Sequence, residues 1–392
     1  SALRILYVQH EARARLVEML AGAADALVVG DPWDPATDVG PVIDTDAEAG
    51  LAAYVAHPPG PLMKSLPAPG GGRFIGPAVL DVPGIAALER EVFGPVLHLA
   101  GFETSRLEDT ITAINARGYG LTFGLHTRID ERVERITRRL RVGNIYVNRN
   151  QIGAIVGSQP FGGEGLSGTG PKAGGPHYVP RLTRPAEAPR ARPAGPVHDA
   201  HALAGRFVQL PDPDGAPLDP DGFAALRAAL PEAALAGLEP ETFTPRDMPG
   251  PTGESNRLRY APRGRVLVLG PDAGLAQAQM ARALAAGNSV LLVAPAADRL
   301  TEQLAAAGLP VLALDGQPEP EALTGLPGLA LVAAHGPRDW LARLRRALAA
   351  REGPIVPLET GLPDPHRFVF ERHLCIDTTA SGGNASLLAS TV

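Results

Sequence analysis

The stretch Glu91-Val92-Phe93-Gly94-Pro95 lies directly before a mostly apolar run, residues 96–100, that predicts a β-strand. Glu91 and Phe93 are two residues apart, so both side chains can face one ligand at the mouth of that strand. A carboxylate can accept hydrogen bonds from two neighbouring ribose hydroxyls, and a phenylalanine ring supplies a flat wall for a nicotinamide. The stretch therefore predicts a nicotinamide cofactor site. The alternative is a helix-to-strand turn with an exposed acid and a core phenylalanine.

The composition predicts a globular chain with two domains. Its 392 residues exceed the usual size of one domain, and 45% of them are hydrophobic and 20% charged. The net charge of -6 gives no electrostatic case for a nucleic-acid or anionic-membrane partner. No apolar run approaches the roughly 18 residues of a transmembrane helix. The single cysteine, Cys375, excludes an intramolecular disulfide framework and suits a reducing compartment, so we expect a cytoplasmic protein.

Strand and helix patterns alternate on either side of the opening stretch. They fall at residues 74–80, 96–100, 107–116, 122–126, 130–140 and 144–147. Alternation at this spacing indicates an α/β fold with a largely parallel sheet.

Residues 148–176 depart from that rhythm and are rich in glycine. A loop of this length inside a compact domain is usually functional. Gly153 and Ala154 carry no bulky side chain, so their backbone N–H groups can approach a carboxylate closely. The alternative is that these glycines only form turns and that Phe161 is a core residue.

Several motifs together resemble the catalytic domain of the aldehyde dehydrogenase superfamily. They are the proline-containing acidic segment 31–43, the stretch 91–95, Asn148-Arg149-Asn150, Pro160-Phe161-Gly162-Gly163 and Ser167-Gly168-Thr169-Gly170. The run 153–163 is similar to the branch that oxidises L-glutamate γ-semialdehyde. Residues 163–176 resemble its bifunctional bacterial form, the proline utilization A family. The resemblance is dense over residues 1 to about 185 and looser beyond them.

The resemblance implies an NAD-dependent enzyme in which a cysteine thiolate attacks the aldehyde and a glutamate activates water. In such an enzyme, Glu91 and Phe93 of this chain would bind NAD. The family's catalytic cysteine immediately precedes a Ser-Ala-Leu-Arg sequence like residues 1–4. We therefore expect the nucleophile and the general base to precede Ser1, and no catalytic residue is assigned here. FAD is expected only in an upstream proline dehydrogenase part, and no metal is expected.

The same resemblance implies the substrate contacts. Gly153 and Ala154 would hold the α-carboxylate of the semialdehyde, and the hydroxyl of Ser1 would help to hold it. The aliphatic part of the substrate would pack on Phe161.

The second half of the chain resembles a degenerate copy of the superfamily's cofactor domain. Residues 265–269, 276–286 and 289–293 form a βαβ pattern, but the turn at 270–274 lacks the G-x-G-x-x-G spacing. Ala294 stands where the family has a lysine that binds the adenosine ribose. Glu359 lies in a stretch similar to that of the general base, yet without an accompanying nucleophile we expect a structural role for it.

We therefore expect an α/β chain: an incomplete aldehyde dehydrogenase catalytic domain followed by a degenerate Rossmann-like domain. The expected divisions are a catalytic domain at 1–185, a linker and irregular segment at 186–262, a Rossmann-like domain at 263–371 and a C-terminal strand motif at 372–392. The strand at 374–379 is expected to be an edge that pairs across a subunit or domain interface near the loop 153–161, because unpaired edges seek partners. The chain is expected to form a homo-oligomer through it.

Two functions remain open from the sequence alone. The first is the C-terminal part of a bifunctional proline dehydrogenase and L-glutamate γ-semialdehyde dehydrogenase. The alternative is a non-catalytic lid or oligomerisation module, or an aldehyde dehydrogenase with one activity and another substrate.

Overall fold

The computed structural model describes residues 3–183, 191–213 and 215–379. The chain divides into two compact units, residues 1–118 and 119–392. This division does not coincide with the expected boundary at residue 185, and the division into functional domains stays a prediction. Within the described residues, no helix is long and apolar enough to cross a membrane.

The elements of the first unit are β1 Ile5–Gln9, α1 His10–Asp25, α2 Thr45–Ala56, β2 Leu62–Ser65, β3 Ala78–Asp81, β4 Val96–Phe102 and α3 Leu107–Ala116. Its strands form a four-stranded sheet in the order β1-β4-β3-β2. Neighbouring strands are parallel except β2 and β3, which are antiparallel. The strand expected at 74–80 begins only at Ala78, because the preceding Pro77 has no N–H to donate to a neighbouring strand.

The second unit contains two five-stranded sheets and the helices that cover them. Its earlier elements are β5 Tyr119–Gly120, β6 Thr122–Leu125, α4 Asp130–Arg139, β7 Asn144–Val147, β8 Glu164–Gly165, β9 Val197–His198, α5 Ala200–Phe207, α6 Pro220–Ala229, β10 Arg246–Met248 and β11 Glu254–Pro262. Its later elements are β12 Arg265–Leu269, α7 Ala273–Ala285, β13 Ser289–Ala294, α8 Ala297–Ala306, β14 Val311–Asp315, β15 Gln317–Pro318, β16 Leu329–Ala334, α9 Arg338–Ala349, β17 Leu358–Thr360 and β18 Val369–Asp377.

The first sheet of this unit has the order β10-β11-β18-β7-β6. β18 is parallel to β7 and antiparallel to β11, so both of its edges are paired. The edge expected at 374–379 is therefore paired within the chain, in part through β7, which belongs to the expected catalytic domain and directly precedes the loop 148–176, so a partner subunit is not needed to pair it. The irregular segment expected at 186–262 likewise ends in β11, a nine-residue strand of the same sheet.

The second sheet has the order β14-β13-β12-β16-β17, and all of its pairings are parallel. This order is that of a Rossmann-type sheet, whose strand order reverses between β12 and β16. Successive residues of each strand point to opposite faces. One face of β12 buries Val266 and Val268 in one core, and the other buries Leu267 and Leu269 in a second core. Because helices cover both faces, the strands are continuously apolar. The α/β class expected from the sequence is confirmed.

Candidate active site

Phe93 projects from the loop before β4, and its side chain is 84% exposed. The loop is anchored around it. Val92 packs against a core cluster that includes Leu51, and a Cβ on Gly94 would lie 2.6 Å from Leu51 Cδ1. The backbone O of Pro95 accepts a hydrogen bond from the N–H of Ala78 at 2.9 Å. A core position for Phe93, the alternative interpretation of this stretch, is therefore wrong.

Glu91 is exposed on the same anchored loop. Its carboxylate forms no hydrogen bond or ion pair with any residue that the structure describes, so both oxygens can accept from a ligand. An exposed ring and an available carboxylate two residues apart fit the nicotinamide riboside end of NAD. Their binding role stays a prediction.

The loop 150–157 belongs to the second unit and presents its backbone outward. Gly153 has φ +78°, a conformation that favours glycine, and both Gly153 and Ala154 are exposed. Asn150 Oδ1 accepts from the N–H of Ile152 at 3.1 Å, and the O of Ile155 accepts from the N–H of Gln159 at 2.8 Å. Between these two anchors, the N–H groups of Gly153 and Ala154 have no acceptor among the described residues. Two adjacent free amide donors suit a carboxylate.

Phe161 is half-buried in the same unit and lies in an isolated bridge with Ala173. Its N–H donates to Ala173 O at 3.0 Å, and its O accepts from the Ala173 N–H at 2.8 Å.

Of the predicted substrate residues, Gly153, Ala154 and Phe161 fall in the second unit. Ser1 lies outside the described residues. Glu91 and Phe93, the predicted cofactor residues, fall in the first unit.

A buried polar network that the sequence analysis did not identify lies beneath Phe161. Lys172 is 2% exposed and Asn144 is 0% exposed. Lys172 Nζ donates to Asn144 Oδ1 at 2.7 Å and also to the backbone O of Gly162. Burial lowers the pKa of Lys172 to about 7, although the nearby carboxylates of Glu371 and Glu164 act in the opposite direction. The one available signal was the rarity of lysine in this arginine-rich chain.

Cys375 is buried in β18 and does not have the environment of a nucleophile. Arg149 Nη1 lies 3.4 Å from its Sγ, and Gln159 Nε2 lies 3.6 Å from it. Arg149 also pairs with Glu254, which balances its charge. Burial outweighs the arginine and raises the pKa of the Cys375 thiol to about 11. A thiol with this pKa is almost entirely protonated near neutral pH.

The strand-order reversal of the parallel sheet is filled by a side chain of the protein itself. His335, which follows β16, is 0% exposed, and a Cβ on Gly270 would lie 2.2 Å from its Cε1. The N–H of Asp272 donates to His335 Nε2 at 2.9 Å. In Rossmann-type folds the turn after the first strand receives the phosphates of a ligand. Here the His335 imidazole accepts the hydrogen bond of the Asp272 amide and occupies the space next to Gly270.

The other two positions singled out in this part of the chain are also accounted for. Ala294 is buried at the end of β13. The Glu359 carboxylate is buried and accepts from Arg367 Nε at 2.8 Å and from Arg181 Nη1 at 3.4 Å. This pairing agrees with the structural role expected for Glu359, which stays a prediction.

His177, Asp364 and His366 bring donor atoms within 4.8 Å of one another. The two rings stack with centroids 3.8 Å apart, so their in-plane lone pairs run side by side and do not converge on one point. His366 Nδ1 lies 3.0 Å from Asp364 Oδ1 and its Nε2 lies 3.0 Å from Thr242 O, so both ring nitrogens already have partners. We interpret the group as a hydrogen-bonded aromatic cluster, and the expected absence of a metal stays a prediction.

The comparisons with known proteins cover the whole chain. Residues 1–186 match the model of the aldehyde dehydrogenase family. The chain is 39% identical to the bifunctional protein PutA of Escherichia coli (strain K12), over 99% of this chain and 30% of that protein. It is 38% identical to a 1-pyrroline-5-carboxylate dehydrogenase of Geobacillus kaustophilus (strain HTA426), over 44% of this chain and 33% of that protein. The chain spans about a third of the length of the curated relatives it matches.

A solved structure shares the fold. The structure of proline utilization A from Corynebacterium freiburgense matches 96% of this chain and 35% of its own, with a TM-score of 0.61 and 24% identity. The family match, the identities and this fold agree with the resemblance stated from the motifs. Residues 1–186 are an aldehyde dehydrogenase family domain, and the chain is homologous over nearly its whole length to part of PutA.

Proposed function

We propose that this chain is the C-terminal part of a bifunctional enzyme of proline catabolism and that its aldehyde dehydrogenase domain takes part in the NAD-dependent oxidation of L-glutamate γ-semialdehyde. The observation that carries the proposal is the pair of free, exposed amides at Gly153 and Ala154. An aldehyde that bears an α-carboxylate needs such a donor pair, whereas a simple alkyl aldehyde does not. The names of the relatives, PutA and 1-pyrroline-5-carboxylate dehydrogenase, agree with this substrate class.

The substrate contacts follow from the loop geometry. The two amides donate to the carboxylate oxygens, and these are charge-assisted bonds because the acceptor is ionised. The half-buried ring of Phe161 offers an apolar surface to the methylene groups. Cys375 takes no part, because its buried thiol is protonated at neutral pH.

Glu91 and Phe93 would hold the cofactor. The Glu91 carboxylate accepts from the ribose hydroxyls, and the exposed Phe93 ring covers one face of the nicotinamide. NAD supplies the hydride acceptor when it is bound. The protein's task at this site is to fix the ring and keep water from one of its faces.

Removal of a single amide donor tests the proposal. Ala154→Pro deletes one N–H of the pair, while the matched control Ala154→Gly keeps it. In the full-length enzyme we expect Ala154→Pro to raise the KM for the semialdehyde by about 10- to 100-fold, the range of a hydrogen bond to a charged group. Ala154→Gly should stay within about threefold of wild type. Equal KM values for the two variants, with both folded and binding NAD, would refute carboxylate binding at this loop.

A second role is proposed for the Rossmann-like part of the chain, namely a cover rather than a nucleotide-binding domain. The observation that favours it is the insertion of His335 at Gly270, where a phosphate would otherwise lie. Assembly into a homo-oligomer remains part of the proposal, but it would not use an edge of β18, since both edges are paired. A cytoplasmic location, expected from the single cysteine, also remains a prediction.

A further inference from the structure

The backbone of residues 160–162 has every polar group bonded. The O of Pro160 accepts from Asn144 Nδ2 at 2.9 Å, and the N–H of Gly162 donates to Asn144 Oδ1 at 3.1 Å. Phe161 bonds Ala173 through both its N–H and its O. The O of Gly162 accepts from Lys172 Nζ. This tripeptide has the hydrogen-bond saturation of regular structure, although it lies in a glycine-rich loop.

Lys172 connects the parts of this arrangement. Its Nζ bonds Asn144 Oδ1 at 2.7 Å as well as the Gly162 carbonyl, and the next residue, Ala173, is the bridge partner of Phe161. Its own N–H donates to Glu371 Oε2 at 2.7 Å, which ties it to the central strand β18. The Lys172 side chain therefore holds the carbonyl of Gly162 and the Asn144 amide that bonds both neighbours of Phe161, while the Lys172 backbone is tied to the strand behind them.

The surroundings leave room for this side chain and for little else. A Cβ on Gly143 would lie 2.9 Å from Lys172 Nζ and 2.0 Å from the O of Gly162. Two carboxylates lie nearby: Glu371 accepts from the backbone N–H of Lys172, and Glu164 is paired with Arg372 in two bonds of 2.9 and 2.8 Å. Burial of a lysine is costly unless its ammonium is bonded. An aliphatic residue would be enough to pack the core at this position. The presence of an amine therefore indicates that its hydrogen-bond donors are needed here.

We propose that Lys172 is a positioning residue that acts through Asn144 and the Gly162 carbonyl to fix Phe161 against the aliphatic chain of the substrate. This inference rests on the proposed function, in which Phe161 packs on the semialdehyde. Lys172 itself touches no substrate in this scheme. Loss of its donors would leave the loop in place but would allow the Phe161 ring to move out of contact.

A double-mutant cycle in the full-length enzyme tests the inference. Lys172→Met should raise the KM for the semialdehyde about tenfold, a change of about 1.4 kcal/mol, while the Kd for NAD stays unchanged. Phe161→Ala should raise the same KM. If Lys172 acts through Phe161, Lys172→Met added to Phe161→Ala should give no further increase. The matched control is Lys64→Met, which removes the other lysine of the chain, at a surface ion pair with Asp25, and should leave the KM unchanged.

The possible outcomes separate the two proposals. An unchanged KM in Phe161→Ala overturns the proposed role of Phe161 and this inference with it. A raised KM in Phe161→Ala together with an unchanged KM in Lys172→Met overturns the inference alone, as does full additivity of the two changes. Lys172→Gln, which keeps an amide donor, is the second variant if Lys172→Met does not fold, and a smaller KM increase is expected for it. Failure of both variants to fold would assign Lys172 to folding and overturn the positioning role.

Discussion

The buried ammonium of Lys172 makes the stability of this protein depend on pH in a direction opposite to that of most lysines. Burial lowers the pKa of Lys172 in the folded state from 10.5 to about 7, while the unfolded chain keeps the ordinary value. Between these two pKa values the unfolded state binds more protons than the folded state, so the free energy of unfolding rises with pH. The contribution of Lys172 to the free energy of unfolding is complete above its pKa in the unfolded state. It is lost as the pH falls through its pKa in the folded state.

The magnitude follows from the two pKa values. The difference between 10.5 and about 7 corresponds to roughly 5 kcal/mol at about 1.4 kcal/mol for each tenfold change in proton affinity. Lys172→Met removes this dependence but also leaves the Gly162 carbonyl without its donor, at a cost of about 1–3 kcal/mol at every pH. The free energy of unfolding of the wild type, relative to that of Lys172→Met, should therefore rise by about 4 kcal/mol between about pH 7 and about pH 10.

The assay is urea-induced unfolding of wild type and Lys172→Met at a series of pH values across this range. The difference between the two free energies reports Lys172 together with Glu371 and His373, whose pKa values the Lys172 charge lowers. Titrating groups that are not coupled to Lys172 contribute equally to both proteins. Lys64→Met serves as the control, since a surface ion pair contributes about 1 kcal/mol or less. If the wild-type and Lys172→Met curves run parallel from neutral to alkaline pH, the ammonium is not desolvated and the reasoning fails.

Three further predictions concern the cofactor site, the close approach at Gly143 and the parallel sheet. Glu91→Ala in the full-length enzyme should weaken NAD binding by about 1.5–3 kcal/mol, the range of a hydrogen bond to a charged group, and an unchanged Kd in calorimetry would exclude the role. Gly143→Ala should destabilise the protein by about 3 kcal/mol, because its methyl would lie 2.0 Å from the rigid Gly162 carbonyl. Gly22→Ala, whose methyl would meet no atom within 4 Å, should be tolerated in thermal unfolding, and equal effects of the two would contradict the packing argument. NAD titration should give one site per chain, because His335 fills the turn after β12, and a second site would refute that interpretation.

The sequence predicted those elements whose local pattern agrees with their final environment. The strand before α3 and the βαβ unit at 265–294 were found because their burial follows from apolar composition. The first part of β18, from Val369, was not predicted because it buries Glu371 and His373, and buried polar residues do not give an apolar alternation. β11 was missed although its buried Leu258 and Tyr260 alternate with Arg257 and Arg259, which is the pattern of a strand.

The candidate site divides in the same way. Its exposed parts, Phe93 and the glycine-rich loop, carry motifs, and motifs are local in sequence. The support of the site is not local: Lys172 depends on Asn144, 28 positions earlier, and on Glu371, 199 positions later. Contacts of that separation depend on how strands pair, and strand pairing across the chain is not encoded in any one segment. A single sequence therefore identified the residues proposed to touch ligands but not those that hold them.

The parallel sheet of the second unit keeps the fold of a nucleotide-binding sheet, but the usual phosphate position is occupied by a side chain. Its strands keep the continuous apolar pattern that two covered faces require, and their order is that of a nucleotide-binding sheet. Yet the turn at its strand-order reversal holds an imidazole that accepts from the Asp272 amide. An amide bonded within the protein has no donor left for a phosphate, and a crevice filled by a buried ring has no volume for one. Hydrophobic pattern and strand order thus maintain the fold of this sheet, and we expect the one histidine at Gly270 to prevent phosphate binding there.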